Sequence, residues 1–74
     1  MSGYGVVLFH TTSAALRAEK AALGAGLRVK LIPTPRQFSS DCGMSLRFDW
    51  ESEAAVRQAL EAAGAAWADI RPLS

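Results

Sequence analysis

The sequence predicts a single α+β domain, a ferredoxin-like βαββαβ sandwich, on three observations. Strand-length apolar or alternating runs occur four times, two helix-forming stretches stand between them, and glycine or proline closes most of these elements. Two crossovers joined by a hairpin then give an antiparallel sheet of order 4-1-3-2 with both helices on one face. A chain of 74 residues has room for one domain, 1–74, and no second.

The first strand is Tyr4 to Phe9, an apolar run rich in β-formers. Thr11, Thr12 or Ser13 can cap the helix that follows, from about Ser13 to Leu23, and Gly24 and Gly26 offer its left-handed stop. Arg28 to Ile32 alternates as a half-buried second strand, stopped by Pro33 and Pro35. Met44, Leu46 and Phe48 alternate with Ser45 and Arg47 as the third. Asp49 or Ser52 then caps a second helix with Val56, Ala59, Leu60 and Ala63 at helical spacing, closed by Gly64. Trp67 to Arg71 makes the last strand. On this phasing Arg28, Lys30, Arg47 and Arg71 fall on the face away from the helices, together with Val7, Phe9 and Trp67. That open face is a candidate for partner binding or homodimerisation.

Composition narrows the function. Half the residues are apolar, too many for disorder. Eight basic and seven acidic side chains leave a net charge of +1, with no excess to hold a phosphate backbone, so nucleic acid is not expected. No apolar stretch reaches the roughly 20 residues of a membrane span. The N-terminus has no signal-peptide pattern, and one cysteine makes no internal disulfide. A soluble cytoplasmic protein is the expectation. One histidine and one cysteine, without metal-ligand spacing, give no metal site, and no cofactor motif is present.

Cys42 is the most informative residue. It stands in the polar turn Ser39-Ser40-Asp41-Cys42-Gly43, loop chemistry rather than core chemistry. The topology brings this turn to the sheet rim where the first strand ends at His10, the first helix begins and Trp67 lies. Free N–H groups and partial positive charge at a helix start favour an anionic sulfur. His10 and Arg36 are candidate basic neighbours, Ser39 and Ser40 hydroxyl donors, and Gly43 leaves space beside the sulfur; Asp41 opposes an anion. The competing reading is a buried, inert small hydrophobe.

Several segments carry a family resemblance: Gly5-Val-Val-Leu-Phe-His-Thr-Thr-Ser13, Leu16-Arg-Ala-Glu-Lys20, Val29-Lys-Leu-Ile-Pro-Thr-Pro-Arg36, the Ser39–Gly43 turn and Leu46-Arg-Phe48. Together they resemble the small bacterial selenium/sulfur carrier-like proteins over nearly the whole chain. The resemblance implies a cysteine, here Cys42, that holds a persulfide or perselenide and passes it from a donor protein to an acceptor. The expected protein is thus a non-enzymatic carrier with Cys42 as chalcogen acceptor, supported by His10, Ser39, Ser40 and Gly43. Two rivals remain: a protein- or ligand-binding module using the open sheet face, and a thiol redox sensor.

Overall fold

The computed structural model describes residues 3–38 and 42–73. The element order is β1 (Tyr4–Leu8), α1 (Thr12–Gly24), β2 (Val29–Pro33), β3 (Met44–Asp49), a 3-10 turn (Trp50–Ser52), α2 (Glu53–Ala62) and β4 (Asp69–Pro72). One antiparallel sheet runs β2-β3-β1-β4. Numbered from its other edge this succession is 4-1-3-2, with β1 between β3 and β4.

Local chemistry sets the boundaries. Thr11, in extended conformation, caps α1 by accepting the Ala14 N–H at 3.1 Å. Gly24 lies inside the helix, and the left-handed stop is Gly26 (φ 79°), where Leu27 N–H reaches Ala22 O and Gly26 N–H reaches Leu23 O. Gly64 (φ 67°) closes α2 with the same pair of bonds, from Ala65 to Leu60 and from Gly64 to Glu61. Asp49 and Ser52 make no side-chain cap; the 3-10 turn between them delays α2 to Glu53. Pro33 extends β2 by one residue, which an edge strand tolerates because no neighbour needs its missing N–H. Pro72 sits likewise in the other edge strand.

The core lies between one sheet face and both helices. Ala15, Ala18 and Ala22 of α1, and Val56 and Leu60 of α2, pack with Val7, Phe9, Leu46, Phe48 and Ile70. The alanines hold α1 close to the sheet. Val7 and Phe9 therefore face the helices, contrary to the sequence phasing, and Trp67 packs against the same core ahead of β4. The register shows why: Val7 pairs with Leu46 and Ile70, whereas Val6 pairs with Arg47 and Arg71. A continuously apolar strand carries no phase of its own.

The opposite face is only partly open. Lys30, Arg47, Val6 and Arg71 form one cross-strand row. Val6, Leu8 and Ser45 are nevertheless buried on that face. The segment after β2 returns across it, with the Phe38 ring 5.8 Å from the Arg71 guanidinium and Gln37 Nε2 donating to Leu73 O.

Candidate functional site

Met44, Leu46 and Phe48 point inward from β3. Counting back two residues gives Cys42 the same parity, and its side chain joins the core cluster. Its position at the rim beside α1 matches the sequence reading; its access does not. The residue is 4% exposed, so the partial solvent access expected of a polar turn is corrected. The inward alternation of β3 overrides the loop chemistry of the residues before it.

The sulfur nevertheless has polar company. Thr12, the first residue of α1, places its hydroxyl 3.7 Å from Sγ, and Met44 N–H donates to Sγ at 3.4 Å. Thr12 itself is exposed, so the thiol lies one side chain beneath the surface at a helix N-terminus. There the unbonded N–H groups and partial positive charge suit an anion.

Thr34 holds the cysteine segment in place. Its hydroxyl donates to Cys42 O at 2.9 Å and lies 2.8 Å from Ser45 Oγ, and its N–H donates to Gly43 O at 2.9 Å. Ser45 is fully buried, so Thr34 satisfies an otherwise costly hydroxyl. Neither Thr12, Thr34 nor Ser45 stood out in the sequence as a site residue. The strand register places Thr34 and Ser45: Pro33 lies opposite Met44, which puts Thr34 beside the cysteine turn, a pairing that the sequence of one strand does not carry.

The other expected site residues divide. His10 is exposed in the turn between β1 and α1, one residue before the cap. Arg36 is exposed on the segment after β2. Gly43 is exposed, and a Cβ built on it would meet nothing within 4 Å. Ser39, Ser40 and Asp41 lie outside the described residues. Among the described residues no cluster of His, Cys, Asp and Glu could hold a metal ion, and no helix is long and apolar enough to cross a membrane.

A model of the family described as "Putative Se/S carrier protein-like" matches residues 4–72. The chain belongs to this Se/S carrier-like family. The match includes Thr12, Thr34 and the whole cysteine turn. No curated protein and no solved structure matches the chain. Within this family member, Gly43 tests how much room the site keeps. Gly43→Ala should fold normally and melt within a few degrees of wild type, because its Cβ enters open space without a left-handed φ. A larger loss in a thermal melt would show that this flank of the sulfur is closed.

Proposed function

We propose that the chain is a non-enzymatic carrier that holds sulfur or selenium on Cys42 and passes it between a donor and an acceptor protein. The observation that carries this reading is the seat of the only cysteine, against Thr12 at the start of α1, in a chain of a carrier-like family. We also read the βαββαβ order as ferredoxin-like, and a reducing cytoplasmic setting as the one that suits a lone thiol.

The chemistry needs no external oxidant or reductant. The Cys42 thiolate attacks the terminal sulfur of a donor persulfide. A new S–S bond forms at Cys42 Sγ while the donor's own S–S bond breaks and the donor sulfur leaves as a thiolate. The terminal sulfur keeps its negative charge throughout. Delivery is the same exchange, with an acceptor nucleophile attacking the terminal sulfur and Cys42 leaving as a thiolate. The Thr12 hydroxyl and the Met44 N–H lie within hydrogen-bond reach of the sulfur that attacks and later leaves. His10, Ser39 and Ser40 are assigned supporting roles at the rim, and Gly43 the approach of the partner's chalcogen. Burial of the thiol means that a partner must open the segment Thr34 holds. The same burial disfavours a sensor oxidised directly by small oxidants, which needs an accessible sulfur.

The test is incubation of the protein with a protein-borne persulfide donor, and separately with a protein-borne perselenide donor, each with and without mild denaturant to open the site, followed by intact-mass spectrometry. One added sulfur or selenium atom, removable by a thiol reductant and absent in Cys42→Ala, is the expected result. A wild-type protein that never loads, or a variant that loads equally, refutes the reading.

A further inference from the structure

At the end of the sheet away from Cys42, β2 begins, β3 ends and α1 closes. A depression of about 510 Å³ lies there, with Arg28, Lys30 and Arg47 on its lining beside Tyr4, Leu27 and Val29. Lys30 and Arg47 are direct partners across the β2–β3 ladder. Like charges placed directly opposite destabilise a sheet. Among the described residues neither is in an ion pair, and neither is Arg28 or the groove's carboxylate, Asp49. Arg71, the remaining cation of the row, is by contrast paired with Asp69 at 3.5 Å. Arg47 is also held, its guanidinium carbon 4.4 Å from the Tyr4 ring centroid. A guanidinium fixed this way has lost part of its side-chain freedom before any ligand arrives, while keeping donors for a carboxylate.

We infer that this groove docks an acidic segment of a partner protein, its carboxylates meeting Arg28, Lys30 and Arg47, with Tyr4, Leu27 and Val29 as the apolar part of the lining. Charge complementarity selects an anionic occupant, and it relieves the Lys30–Arg47 repulsion built into the ladder. The apolar wall favours a peptide over a sugar-phosphate chain. A net charge of +1 also gives no general attraction to nucleic acid. The inference is independent of chalcogen chemistry, since the groove is at the other end of the sheet.

The experiment is calorimetric titration with a short acetylated peptide of glutamates and one leucine, at low and at physiological salt. Matched arms use inorganic phosphate and a single-stranded oligonucleotide of equal charge. Binding of the peptide that weakens with salt is expected. It should fall at least about tenfold in Lys30→Gln/Arg47→Gln and persist in Lys20→Gln, a cation on α1 outside the groove. The double variant should also melt within a few degrees of wild type, because the relieved Lys30–Arg47 repulsion offsets the lost contact of Arg47 with the Tyr4 ring; this separates lost docking from lost fold. Absence of peptide binding, equal binding by the double variant, or tighter binding of phosphate or the oligonucleotide overturns the inference.

Discussion

Gly5→Ala should lower the melting temperature, by up to roughly 20 °C, although glycine within a strand is ordinarily a weakness that alanine repairs. Gly5 lies on the helix-facing side of β1, opposite Phe48. A Cβ there would fall 2.5 Å from Trp50 Cε3 and 2.7 Å from Phe48 Cζ. The two rings are stacked, with centroids 5.9 Å apart and planes at 27°. Trp50 is 38% exposed and can swing away, but Phe48 is 1% exposed and cannot. Limiting the unfolded chain with alanine returns only about 0.4–1 kcal/mol. Overpacking costs about 1–3 kcal/mol, so the clash wins. In a Trp50→Ala background the cost should shrink without vanishing, because Phe48 stays. Equal costs in both backgrounds, read from paired thermal melts, would mean that the indole does not occupy the space above Gly5.

Alkylation of Cys42 should be slow in the folded protein and roughly tenfold faster in Thr34→Val. Valine keeps the shape of threonine but abandons both Cys42 O and the buried Ser45 hydroxyl. Leaving such groups unsatisfied costs about 1–3 kcal/mol, and about 1.4 kcal/mol of easier opening is a tenfold rise in the exposed population. Labelling with iodoacetamide in buffer, with circular dichroism showing both proteins folded, gives the comparison. In denaturant the two should react alike, which assigns the difference to the fold. Equal rates in buffer would remove Thr34 from control of the thiol. Cys42→Ala is the better unloaded control than serine, because a hydroxyl in this buried seat carries a cost that a methyl does not.

Much of this was written in the chain. The alternation of β3 and the glycine stops were read from spacing alone, because period 2 and a left-handed residue are local properties. The phase of β1 was not, since Val6, Val7, Leu8 and Phe9 are all apolar and only pairing with Leu46 and Ile70 decides which ones face the helices. The candidate site was half legible. Chain order put Cys42 beside α1, but its polar neighbours suggested exposure where the parity of β3 imposes burial. Thr34 stands between the two prolines that stop the second strand, with nothing in its own segment to mark it. Its role depends on a backbone carbonyl and a hydroxyl on the neighbouring strand, contacts that no pattern along one segment reveals.

The two edge strands have a consequence for the protein in crowded solution. An uncovered edge is a template on which another chain can add a strand, the first step toward fibrils. Here β2 ends in Pro33 and carries exposed Lys30 as its second residue, and β4 ends in Pro72 after the exposed charges Asp69 and Arg71. An incoming strand would find a missing donor and buried charge at either side, so growth by strand addition is disfavoured. Self-association would have to use a face rather than an edge.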